Sequence, residues 1–234
     1  MHDSAVGRLL GVLVAPGRTF RSIAERPTWV APLLVTVLVT LCLGLMAAPR
    51  MDYDDIVKQQ VVRSGRDVPQ DLLDKQIDFL VKARTPLAVA SAVVFPAVLC
   101  LLAIGPLVAF RLLGSELTYG QALSVVLHAW MAQVLAALLS IPVVLSRSTL
   151  GFADIRTGTF LKSNLASLIG TDEMSHAVYT FLVCLDVFSL WMWILLVLGY
   201  REVARVSLAK AATTMIVLWV VVVGCRVGWA AVFG

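Results

Sequence analysis

Charged side chains are scarce in this sequence: Asp, Glu, Lys and Arg make up 15% of its 234 residues, and hydrophobic residues make up 59%. With a mean hydropathy of +0.89, too little polar surface remains to clothe a water-soluble globule. Histidine occurs three times and cysteine four times. Cys42, Cys100, Cys184 and Cys225 all fall in apolar stretches without CxxC spacing, so they read as small hydrophobes rather than disulfides or zinc ligands. HExxH, P-loop, GxSxG and EF-hand patterns are missing, and no serine or aspartate has a credible catalytic partner. The expectation is a protein that is not an enzyme, with no cofactor, no metal and no nucleic-acid partner.

Long apolar runs are what the sequence has instead. A spanning helix needs about 20 mostly apolar residues at ~1.5 Å each, and five stretches qualify, at about 30–48, 87–110, 121–145, 176–200 and 211–233. Only helices or closed barrels satisfy their backbone inside lipid. The expected fold is therefore all-α: a polytopic five-helix membrane domain over 30–234 behind an N-terminal arm, 1–29. The first three stretches carry no charge, the fourth contains Asp186 and the fifth Arg226. One such charge costs roughly 2.5 to 3.5 kcal/mol, which the surrounding apolar residues offset. Arg8, Arg18, Arg21 and Arg26 precede the first stretch in an arm too long for a signal peptide's basic region, so that stretch reads as retained.

Five crossings put the termini on opposite sides. Grouping the arm with the turns at 111–120 and 201–210 gives eight basic against four acidic residues, whereas 50–84 and 147–174 balance at ten of each. Basic excess in short segments marks the cytoplasmic side, which places the N-terminus inside and the C-terminus outside, in a bacterial inner membrane. Trp29, Tyr119, Tyr200, Tyr179 and Trp229 at the stretch ends suit an interfacial aromatic belt. In the arm, Leu9, Leu10, Leu13, Phe20 and Ile23 recur near helical spacing around Ala15-Pro16-Gly17, which predicts two short helices lying on the inner bilayer face. Its four arginines are candidate contacts for anionic lipid. The outer loop 50–84 reads as a helical hairpin divided at Ser64-Gly65, its interleaved charges marking a solvated face.

Asp186 and Arg226 fall at equal depth if the fourth and fifth helices form a tight hairpin, about 21 to 22 Å from its inner turn. Pairing would offset the cost of two intramembrane charges, so an ion pair is the expectation, with Gln133 as a neutral third member. Gly224 and Gly228 form a GxxxG pattern around Arg226 that admits a neighbouring helix closely. His128 is the one deep histidine and reads as a satisfied core residue or, in the alternative, part of a polar path. Ser189 shares a face with Asp186 and reads as bonding its own backbone. The cluster serves either to fix helix register or to line a cavity.

The order of parts resembles a known family. "RLLGVLVAPGRTFRSIAERPTWVAPLL", "LLGSELTYGQALSVVLHAW" and "LDVFSLWMWILLVLGYREVARVSLAKA" are similar to stretches of bacterial members of the Yip family, the Ypt/Rab-interacting proteins. The resemblance implies a five-helix membrane domain with a cytoplasmic N-terminus. Eukaryotic relatives act in vesicle traffic and bind Rab GTPases through long N-terminal regions; the short arm here does not support GTPase binding. The expected function is non-enzymatic organisation of membrane lipids or of partner membrane proteins, including further copies of itself. The alternatives are an ion or small-molecule permease using Asp186, Arg226, Gln133 and His128, or an accessory subunit of a transporter.

Overall fold

The computed structural model describes residues 4–65, 67–156, 160–169 and 174–233, and every extended regular element among them is a helix. Ser4 begins α1 (Ala5–Val14), its hydroxyl accepting the Gly7 N–H at 3.0 Å. The chain breaks at Ala15 and resumes as α2 (Pro16–Glu25), since proline has no N–H to lose at a helix start. Then follow α3 (Val30–Ala47), a 3-10 turn, α4 (Tyr53–Ser64), α5 (Gln70–Leu102), α6 (Ile104–Leu112), α7 (Tyr119–Ala129) and α8 (Met131–Ser146). Two single turns, α9 (Phe152–Ile155) and α10 (Ala166–Ile169), precede α11 (His176–Cys184), α12 (Val187–Val203) and α13 (Leu208–Phe233). α5 and α6 are separated at Ala103, just ahead of Pro106, which lacks the N–H that would bond the Leu102 carbonyl.

Four helical segments are long and apolar enough to cross a membrane: Val30–Arg50, Gln70–Leu112, Tyr119–Ser146 and Leu208–Val232. The stretch at 176–200 is not a fifth continuous helix. It is divided into α11, of 9 residues, and α12, of 17, by an extended interruption at Leu185 and Asp186. A second difference concerns the outer loop. Gly65 ends α4 with φ of 63°, but α5 runs unbroken from Gln70 through Pro86, so the loop's second half is an extension of the second long helix, not an arm of a separate hairpin. No stop signal lies between Gln70 and Pro86, and the pairs Lys75–Asp71 and Lys82–Asp78, one turn apart, support the exposed part by a few tenths of a kcal/mol each.

The core is built around α7, whose residues from Ala122 to Ala129 are all buried. Its start is fixed by a capping box in which Thr118 and Gln121 exchange side-chain and backbone bonds. Against it pack α12 and, unexpectedly, the arm. Phe20, Ile23 and Val12 are fully buried in the same cluster as Leu127, Leu195 and Tyr200, so the arm is a wedge in the bundle, not a pair of helices resting on it. Within lipid, helix association is driven by close packing rather than by escape from water. Gly199 supplies the room: a Cβ there would stand 2.5 Å from Val125 Cγ1 and 2.9 Å from Phe20 Cε1. Tyr200 is also interior, stacked on Phe110 at 5.0 Å with its hydroxyl donating to Ala122 O at 3.2 Å, and it does not join an interfacial belt. Trp29, Tyr119 and Trp229 are exposed.

Hydrogen bonds gather the connections into two groups. Ser115 Oγ donates to Ala204 O at 3.2 Å and Lys210 Nζ to Leu113 O at 3.0 Å, joining the α6–α7 turn to the α12–α13 turn. In the other group, Asp52 N donates to Leu150 O at 2.9 Å and Phe152 N to the Asp55 carboxylate at 2.7 Å. Arg156 lies over the buried Tyr179 ring at 3.5 Å, bringing the start of α11 into contact with that second group.

Candidate functional site

The interruption between α11 and α12 is where the intramembrane aspartate lies. Asp186 is the N-cap of α12, with extended backbone and a carboxylate that accepts the Ser189 N–H at 2.9 Å. An aspartate ahead of an apolar run is a helix-start signal, and here it prevails over continuity of the helix. Asp186 is 4% exposed. Its second oxygen accepts a short hydrogen bond from the Ser163 hydroxyl.

An extended segment inside a bundle leaves backbone groups that must find partners. The segment around Ser163 and Asn164 supplies them. Leu165 N donates to Leu185 O and Val187 N donates to Ser163 O, both at 3.2 Å, forming an isolated antiparallel bridge between Asn164 and Asp186. Asn164 is 1% exposed; its Oδ1 accepts the Ser167 N–H at 3.0 Å, and its Nδ2 has no hydrogen-bond partner among the described residues. From the other side, Gln133 Nε2 on α8 donates to Ser189 Oγ at 3.0 Å. The loop, the helix break and α8 are thus stitched together through one carboxylate and its neighbours.

Gln133 therefore reaches the Asp186 turn, through Ser189, whose hydroxyl serves another helix rather than its own backbone. Arg226 does not. It is exposed on α13 and forms no ion pair with Asp186. The equal-depth argument failed because it assumed a continuous fourth helix, whereas the break turns Asp186 toward the 163–165 segment. Gly224 and Gly228 are exposed, and a Cβ at either would meet nothing within 4 Å, so among the described residues no helix packs onto that GxxxG face. His128 is buried apart from the cluster, its Nδ1 donating to Ser124 O at 2.8 Å in its own helix.

Of the four arm arginines, Arg18, Arg21 and Arg26 are exposed. Arg8 is 5% exposed, and its Nη1 donates to Arg26 O at 2.8 Å and to Thr28 Oγ1 at 3.1 Å. Its side chain points inward because position 8 shares the face of α1 that carries buried Val12. Ser163 and Asn164 were missed by sequence reasoning. They sit in a stretch without periodicity, and only the Ser-Asn pair, good at satisfying backbone locally, hints at the role.

No group of three or more His, Cys, Asp or Glu residues among the described residues is placed to hold a metal ion. All-α architecture, four membrane-length helices and a polar cluster spent on internal hydrogen bonds define a polytopic membrane protein. The Yip1 domain profile matches residues 10–229, and the chain belongs to that family. It is 23% identical over 219 residues to "Membrane protein YknW" of Bacillus subtilis (strain 168), covering 92% of this chain and 86% of the relative. No solved structure gives a significant match.

Proposed function

We propose that this chain is a non-enzymatic scaffold of a bacterial inner membrane that organises lipids or partner membrane proteins, with five crossings and a cytoplasmic N-terminus. The observation that carries the reading is the closure of the Asp186 turn: a 4% exposed carboxylate whose oxygens are taken by Ser163 and Ser189 serves as a structural clasp. A permease would need the aspartate to face a path. An open cleft at the arm is lined by Arg8 and Arg26 and includes no residue of the Asp186 cluster.

The fifth crossing is supported by two contacts. The start of α11 touches Arg156 in one group of connections, and the end of α12 touches Ser115 in the other. With 17 residues, α12 is about 26 Å long, near the ~30 Å hydrocarbon thickness. Asp186 then sits near the outer edge of the hydrocarbon, where a buried polar turn is less costly than at its centre. With the four native cysteines replaced by alanine, a cysteine at Gly65 should react with an impermeant maleimide on intact cells and one at Lys210 only after permeabilisation; reaction of both on intact cells would remove a crossing.

Lipid organisation is tested in polymer-excised discs from mixed-lipid membranes. The wild type should carry anionic lipid above the bulk ratio, and Arg18→Gln with Arg21→Gln should bring it back toward bulk. Unchanged enrichment in the variant, together with an Asp186-dependent ion leak in proteoliposomes, would favour the permease.

A further inference from the structure

Two neighbouring turns end their helices with the same hydrogen-bonded device. After α6, Gly114 N donates to Arg111 O at 2.9 Å and Ser115 N to Phe110 O at 3.0 Å, closing over Gly114, whose φ is 86°. After α12, Val206 N donates to Arg201 O at 3.3 Å, the same five-residue span, closing over Arg205, whose φ is 53°. Such an ending needs one residue in the left-handed region, where glycine is usual because a Cβ crowds the backbone. Among the described residues Arg205 is the only non-glycine with positive φ. Arginine lacks the short polar group with which asparagine or aspartate eases that crowding by bonding locally. A backbone outlier of this kind points to function when its side chain has no structural task. Arg205 is exposed, and among the described residues no hydrogen bond or ion pair engages its guanidinium.

Three membrane-length segments end or begin at these turns: Gln70–Leu112, Tyr119–Ser146 and Leu208–Val232. The bonds from Ser115 Oγ to Ala204 O and from Lys210 Nζ to Leu113 O tie the turns into one platform, which therefore lies at headgroup depth. Across it Arg111, Arg201, Arg205 and Lys210 stand against Glu116 and Glu202, an excess of two positive charges. Arg111 Nε is engaged by Leu117 O at 2.9 Å, and Arg201 lies 3.8 Å from Glu202. Leu112, 84% exposed, and the exposed Leu113 and Leu208 belong to the same platform. Basic groups among exposed leucines match the boundary between headgroups and acyl chains.

We propose that Arg205 is kept in the left-handed conformation, at the expense of stability, because its guanidinium contacts the phosphodiester of an anionic phospholipid in the adjoining leaflet. The excess positive charge favours an anionic over a zwitterionic lipid, and the exposed leucines favour a lipid over a soluble anion. The inference rests on the lipid-organising reading and deepens it by naming a contact outside the arm.

The test compares Arg205→Gly and Arg205→Lys with the wild-type full chain by thermal unfolding in neutral detergent, alone and titrated with phosphatidylglycerol, phosphatidylcholine or a polyglutamate peptide. Without lipid, Arg205→Gly should unfold about 2 to 4 °C higher, because glycine relieves the strain. Phosphatidylglycerol should raise the wild-type midpoint. Arg205→Gly should need about fivefold more of it for half of that rise, the factor for one basic residue beside an anionic surface. Arg205→Lys, which keeps both charge and strain, should stay near the wild type in both respects. The proposal is overturned if Arg205→Gly gains no stability, if it responds to phosphatidylglycerol as the wild type does, or if phosphatidylcholine or polyglutamate acts as strongly as phosphatidylglycerol. Anionic-lipid enrichment in discs that Arg205→Gly leaves unchanged would sink the role of Arg205 alone, whereas no enrichment in the wild type would sink the lipid-organising reading with it.

Discussion

Asp186→Ala should destabilise the bundle by about 3 kcal/mol, combining the loss of a helix cap with a buried hydroxyl and N–H left without their acceptor. The expectation follows from Ser163 and Ser189 both donating to a carboxylate that is almost entirely enclosed. Ser163→Ala removes one of the same contacts. In a double-mutant cycle read by thermal unfolding in detergent, these two substitutions should couple by about 1 to 2 kcal/mol. Arg226→Gln paired with Asp186→Ala should be additive within about 0.5 kcal/mol, since the two side chains share no contact. A large Asp186–Arg226 coupling with none to Ser163 would mean that the helix break is not the native arrangement.

Gly199→Ala should cost about 1 to 3 kcal/mol, the range for overpacking a well-filled interior. The added Cβ would lie 2.5 Å from Val125 Cγ1 and within 3.1 Å of two Phe20 ring atoms. Relief requires α12 to move from α7 or the arm to move out, so the variant should also expose α2 to limited proteolysis. Gly105→Ala is the matched control: a Cβ there meets nothing within 4 Å, and the better helix former should be neutral or stabilising by up to about 1 kcal/mol. If Gly199→Ala behaved like Gly105→Ala, the arm would not be wedged against α12.

Much of the architecture is written in local chemistry. The charge-free runs around Leu38, Val93 and Leu135 identify membrane helices because an apolar stretch of that length has no other stable use. The arm's division at Ala15-Pro16 follows from proline's missing donor, and the end of α4 at Gly65 from glycine's tolerance of positive φ. The Asp186 turn was partly legible: an aspartate followed by an apolar run signals a helix start, but the greasy context on both sides argued for continuity.

What the sequence by itself determined is the three charge-free membrane helices, the two short helices of the arm, the membrane class and the inventory of unusual polar residues, because propensity, length and hydropathy act over a few consecutive residues. Tertiary structure alone decided which partners those residues take. Asp186 is joined to Ser163, 23 positions earlier, and not to Arg226. Arg8 is turned inward while Arg18, Arg21 and Arg26 face out, and Phe20 is seated against Gly199. The physical reason is that a buried polar group accepts whichever donor the packing brings to it. The packing is settled by shape complementarity among distant helices, to which no local pattern is sensitive.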